Sequence, residues 1–99
     1  SYDTEIADQI DRSTCVLVIW SQASVASDWV RGEAKLADEQ KKLIPVATDN
    51  ARILPPFNMR HTFSLRDWNG LPNHPQWVDL IREVSRWSPL KTPSLSVDD

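Results

Sequence analysis

The order of hydrophobic patterns along the sequence predicts a parallel α/β sheet with helices packed on both of its faces. Three observations carry that prediction. Cys15-Val-Leu-Val-Ile-Trp20 is a continuous, β-branched-rich run, Leu43-Ile-Pro-Val-Ala-Thr48 is a second one, and amphipathic helical spacing occurs before, between and after them. Unbroken apolar runs of this length suit strands covered on both faces. Helix, strand, helix, strand, crossover, strand, helix is the order that right-handed parallel crossovers produce.

Each element has its own local reason. From Asp3 to Arg12, Ile6 and Ile10 fall four apart with Tyr2 one step earlier, so a short amphipathic helix is expected, with Asp3 at its cap. After the first strand, Ser21 to Ala23 read as a turn. Ser24 or Ser27 then caps a helix carrying Val25, Trp29, Val30, Ala34, Leu36 and Ala37, with Lys41 and Lys42 placed to complement its C-terminal dipole. In the second run, Pro45 removes a ladder donor, which argues against full pairing on both strand edges. Residues 49–60, with Pro55-Pro56, read as an irregular crossover. Thr62-Phe-Ser-Leu-Arg66 alternates like a half-exposed edge strand, and Asn69-Gly70 marks a turn. Behind Pro75, a first-turn residue, Trp77, Leu80, Ile81, Val84 and Trp87 fall at helical spacing.

Composition narrows the function classes. Ninety-nine residues, 40% apolar and 25% charged, fit one soluble globular domain. A net charge of -3 with no basic run argues against nucleic acid or an anionic lipid surface as a partner. The longest apolar stretch, Cys15 to Trp20, is far below the ~20 residues that span a bilayer, so no membrane segment is expected. Cys15 is the single cysteine and suits a reducing compartment. His61 and His74 do not make a metal set and read as surface or capping residues. The start at Ser1 without Met, and the polar stretch at 88–99 with its two prolines, read as a piece of a longer protein ending in a linker or disordered tail.

One constellation carries chemistry. Ser27-Asp-Trp-Val-Arg-Gly-Glu33 puts Trp29 and Glu33 at i, i+4 on one face of a helix that begins after the first strand. In open parallel sheets, ligands bind outside the C-terminal ends of strands, where such helices start. An indole beside a carboxylate suits a sugar or nucleotide. Gly32 adds to that reading, because a glycine inside a helix costs roughly 1 kcal/mol relative to Ala and suggests close approach by a partner. The structural alternative stands beside it: Trp29 as a half-buried packing residue, Glu33 as a solvated carboxylate, and Gly32 as relief for helix–sheet packing. Trp68, Trp77 and Trp87 read as core or interface aromatics.

Taken in order, Tyr2-x-x-x-Ile6, Ile10-Asp-Arg-Ser13, Cys15-Val-Leu-Val-Ile-Trp-Ser21, Ser27-Asp-Trp-Val-Arg-Gly-Glu33, Ala37 and Lys42-Leu-Ile-Pro-Val46 resemble the middle and C-terminal part of a TIR domain of bacterial type. Leu65-Arg-Asp-Trp-Asn-Gly70 and the last helix are similar to the same family. The resemblance covers about residues 2 to 87, and the domain is expected over 1–87 with the tail at 88–99. It implies a flavodoxin-like parallel sheet with helices on both faces, lacking the family's first two strands in this chain.

The resemblance also implies a chemistry. Many TIR domains cleave NAD+ at the nicotinamide–ribose bond, releasing nicotinamide and ADP-ribose or a cyclic ADP-ribose, and the family's essential carboxylate falls on Glu33. NAD+ is then substrate and no cofactor is required. Trp29 and Ser27 are the expected substrate-binding residues. One carboxylate suffices because nicotinamide leaves from a cation and needs no protonation, unlike an ordinary glycosidic oxygen. The implied role is a self-associating cytoplasmic signalling or defence effector, with other TIR domains and a fused sensor or effector domain as partners. The alternative is a non-enzymatic TIR–TIR interaction module. By itself, the 99-residue chain is expected to be inactive, with its first strand left as an unpaired apolar edge.

Overall fold

A computed structural model describes residues 4–87, so Tyr2, Asp3 and the expected tail lie outside the described residues. The chain runs α1 (Thr4–Arg12), β1 (Val16–Trp20), α2 (Gln22–Val25), α3 (Asp28–Glu39), β2 (Leu43–Ala47), a 3-10 turn (Phe57–Met59), β3 (Phe63–Ser64) and α4 (Pro75–Trp87). The strands form one parallel sheet in the order β1-β2-β3.

The β1–β2 register pairs Val16 with Leu43 and continues in step to Trp20 with Ala47. Because paired residues in a sheet point to the same face, Val18 and Trp20 lie on one face, while Ile44 and Val46 share the other with Leu17 and Ile19. Helix α3 packs on the first face, where Val18, Trp20, Ala34 and Phe57 form a buried cluster. Helix α4 packs on the second, where Leu80 joins Ile44, Val46 and Phe63. The expectation of helices on both faces holds. Trp20 is 1% exposed, its ring 5.4 Å from that of Phe57, and its indole Nε1 has no hydrogen-bond partner among the described residues.

Coverage of β1 is where the reading from sequence needs correction. Leu17 and Ile19 are 42% and 47% exposed, so β1 is covered on one face only. Among the described residues its outer edge pairs with no strand. β1 is thus an apolar edge strand among the described residues.

Pro45 explains the unequal length of the other strands. Val16 donates to the Lys42 carbonyl and Thr48 to the Trp20 carbonyl, whereas Leu65 donates to Ala47. Even-numbered residues of β2 therefore bond toward β1, and Leu43, Pro45 and Ala47 face β3. The missing proline donor falls on the β3 side, leaving the β1 ladder intact. β3 pairs only at Phe63 and Ser64, opposite Val46 and Ala47, which is shorter than the 62–66 strand expected.

The helix ends also differ from expectation in two places. Residues 21–23 do not form a simple turn: Ser21 caps α2 in a reciprocal arrangement with Ser24, and Asp49 Oδ2 accepts from the Gln22 N–H at 3.0 Å. Ser27, not Ser24, caps α3. At the far end, Lys42 does not serve the dipole of α3. Its Nζ donates at 2.9 Å to the carbonyls of Ile10 and of Asp11, closing the C-terminus of α1 instead. Lys41 takes the left-handed conformation at φ 59°, with Lys41 N–H on Asp38 and Lys42 N–H on Ala37, the paired bonds of a Schellman ending.

A left-handed non-glycine residue costs roughly 1–2 kcal/mol, and glycine at this position carries no such strain. Lys41→Gly is therefore expected to raise unfolding free energy by up to about 1 kcal/mol after its larger unfolded-state entropy is set against that gain. Urea denaturation checks it, and a lower midpoint would contradict the assignment of strain to Lys41.

Candidate functional site

Helix α3 positions all three residues singled out in the sequence. Ser27 Oγ accepts from the Val30 N–H at 3.3 Å, so its acceptor role is spent on the cap that starts the helix. Asp28 pairs with Arg31 Nη2, and Arg31 Nη1 donates to the Val25 carbonyl at 2.7 Å, locking the α2–α3 corner. Trp29 is 45% exposed, one helical turn before Glu33.

Glu33 faces a groove of about 260 Å³ lined by β1 from Val16 to Ile19 together with Ile10 and Val30. Five residues separate it from the start of the helix, about 7.5 Å of descent at 1.5 Å per residue. The carboxylate therefore lies alongside the open edge of β1, lower than the strand's C-terminal end where the sequence placed it. Trp29 does not line this groove. The walls beside Glu33 are aliphatic, from Val30 and β1, and the structure does not bring the indole, the Ser27 hydroxyl and the carboxylate into one cavity.

The other chemical candidates resolve into structural roles. His74 Nδ1 accepts from the Gln76 N–H at 3.2 Å and its carbonyl accepts from Val78, so it caps α4. His61 stands edge-on to Phe63, ring centroids 4.7 Å apart. No group of three or more metal-ligating side chains occurs among the described residues. Trp68 and Trp77 stack at 4.2 Å, and Trp87 donates to Glu83 at 2.8 Å. Gly32 faces away from the Glu33 groove, toward α1 and the Pro55–Phe57 segment.

What the sequence did not mark is the pair Leu17 and Ile19, whose side chains leave one face of β1 bare. The signal was present in the register: with alternating faces, any strand at a sheet edge exposes one set of its apolar residues unless a further helix covers it.

A model of the TIR domain family matches residues 1–87. The chain belongs to the TIR domain family. Its three parallel strands with flanking helices fit the flavodoxin-like architecture expected of that family. No curated protein and no solved structure matched the chain. TIR membership covers NAD+ cleavage and TIR–TIR interaction alike, and it implies association with other TIR domains. No described helix is long and apolar enough to cross a membrane.

Two predictions test this local assignment. Ser27→Ala removes the α3 cap and is expected to cost about 1 kcal/mol, while Ser27→Asp, which keeps an acceptor, stays close to the parent in urea denaturation. Cys15 lies among the partly buried residues against the α4 core, where burial pushes its thiol upward and the Glu83 carboxylate adds to the shift. The fold therefore favours the protonated thiol, so its contribution to stability is present below the unfolded thiol's range and fades as pH rises through the folded value. Alkylation of the native TIR domain near pH 8 is expected to run slower than that of an unstructured cysteine peptide, and equal rates would exclude the shift.

Proposed function

We propose that this TIR domain is the catalytic part of an NAD+ glycohydrolase, with Glu33 as the essential carboxylate. The observation that carries the reading is the position of Glu33 on the groove along the open edge of β1, in a chain of a family that includes NAD+-cleaving members. Glu33 holds the ribose hydroxyls and stabilises positive charge as it develops at the anomeric carbon. Nicotinamide departs as a neutral base from a cationic nitrogen, so no partner acid is required. Water then completes ADP-ribose, or the adenine attacks to give a cyclic product. Trp29 lies one turn above Glu33 and Ser27 nearly two, and in this reading they shape the approach to the groove and not its walls.

The groove itself argues for assembly. Its volume of about 260 Å³ is below the ~300–1,000 Å³ of small-molecule sites, and one long side is the edge of β1 that pairs with no strand among the described residues. A further strand on that edge supplies the second wall. In this reading the 99-residue chain turns over little NAD+, and the full-length protein becomes active when TIR domains associate, as a cytoplasmic signalling or defence effector governed by a fused domain.

A second reading, a TIR–TIR interaction module without catalysis, is favoured by the half-exposed Leu17 and Ile19. One experiment separates the two. Nicotinamide release by the full-length natural protein, followed under conditions that promote self-association, is expected to fall about 100-fold or more in Glu33→Gln, the scale of removing one electrostatic stabiliser of the transition state. No release by the parent, or equal release by the variant, would sink the enzymatic reading.

A further inference from the structure

Gly32 and Lys35 have no part in the site built on Glu33. At 100° per residue they lie about 100° and about 160° around α3 from that carboxylate. Together with Arg31 they form one wall of a separate cleft of about 400 Å³, whose opposite wall is Pro55, Pro56 and Phe57. This volume falls inside the ~300–1,000 Å³ of small-molecule sites, which the Glu33 groove does not reach.

The two walls differ in chemistry. The α3 wall carries two cations one helical turn apart and no acid, in a chain whose net charge is -3. Arg31 is held in place through Nη1 by the Val25 carbonyl and through Nη2 by an ion pair with Asp28, which leaves Lys35 as the wall's unpaired cation among the described residues. Lys35 forms no ion pair among the described residues, although Glu39 stands at the i+4 position. The crossover wall is apolar: the rings of Pro55 and Pro56 are exposed, with Phe57 beneath them packed on Trp20. Between the walls sits Gly32, the worst helix former after proline, in the second turn of α3. Gly32 contributes bare helix backbone to the lining of the cleft.

We propose that this cleft binds a small organic phosphate bearing a flat ring, of the mononucleotide class. The phosphate lies between Lys35 and Arg31, where charge-assisted hydrogen bonds are strong, and the ring lies along the proline faces. Both halves of the ligand are required, because neither wall alone encloses one. The site is independent of the Glu33 reaction and stands whether or not that reaction occurs.

The test uses the full-length natural protein and isothermal titration calorimetry with AMP, adenosine and inorganic phosphate as probes. AMP is expected to bind at least tenfold more tightly than either adenosine or phosphate, a difference of about 1.4 kcal/mol or more. Lys35→Glu and Gly32→Leu each weaken AMP binding by tenfold or more, and Lys35→Arg restores it. Gly32→Leu improves helix propensity, so its loss of binding cannot come from a melted α3. Glu33→Gln leaves AMP affinity unchanged. The proposal is overturned if AMP does not bind at millimolar concentration, if phosphate alone binds as well, or if binding survives Lys35→Glu and Gly32→Leu. It is equally overturned if Glu33→Gln abolishes binding, which would place the nucleotide in the β1 groove.

Discussion

The five-pair parallel register between β1 and β2 is the constraint from which the remaining geometry follows. It commits Val18 and Trp20 to one side of the sheet and Ile44 and Val46 to the other, and so decides where α3 and α4 can each bury a face. A slip by one residue would reverse every one of these assignments, placing Trp20 where Ile19 now stands half exposed. Trp20 makes that slip costly. A fully buried indole contributes more apolar area than any other side chain of β1, and on the scale of large aromatic truncations its removal corresponds to about 3–5 kcal/mol.

From the same register comes the asymmetry of the sheet. β2 is covered along its length, with Ile44, Pro45, Val46 and Ala47 all buried, whereas β1 alternates between buried and exposed. Pro45 trims the pairing toward β3 without disturbing the β1 ladder, so the sheet is firm in the middle, short at one edge and open at the other. Lys42 adds to this firmness by joining the end of α1 to the start of β2 through two carbonyls. Asp49 does the equivalent at the opposite end of β2, holding the N-terminus of α2 through Gln22 and its own loop through Ala51. Arg60 fastens the end of the crossover to Asp38 on α3 at 2.7 and 3.2 Å.

Sequence patterns were sufficient where a residue's role depends on its neighbours in the chain. The strands at Val16 and Leu43, the turn at Gly70 and the helix behind Pro75 all arise from local spacing and backbone preference, whereas spacing alone left Ser24 and Ser27 as equal candidates for the α3 cap. Roles that depend on distant partners were not legible. Lys42 reads as a helix-dipole residue of α3 because that helix precedes it, yet its ammonium reaches back 31 and 32 residues to α1. The length of β3 depends on which side of β2 lacks a donor, information that exists only once strand order is known. The candidate site divides in the same way. That Trp29 and Glu33 share a flank of one helix follows from spacing, but whether both face one cavity depends on β1, and there only Glu33 lines the groove.

This division bears on how the proposed reaction would be controlled. Leu17 and Ile19 are exposed on the same strand that lines the groove of Glu33, so one event affects stability and chemistry together. Burying two half-exposed aliphatic side chains contributes on the order of 1–3 kcal/mol, and pairing the outer edge of β1 satisfies its free backbone groups. A strand on that edge would also wall the groove and exclude water from around the carboxylate, where the same charge acts more strongly, while the face carrying Leu17 and Ile19 takes a helix as its cover. In the proposed enzyme, completion of the sheet and completion of the site are thus a single step. Under that proposal an apolar edge open to aggregation is also the point of control, because the groove gains its second wall only when the edge is filled.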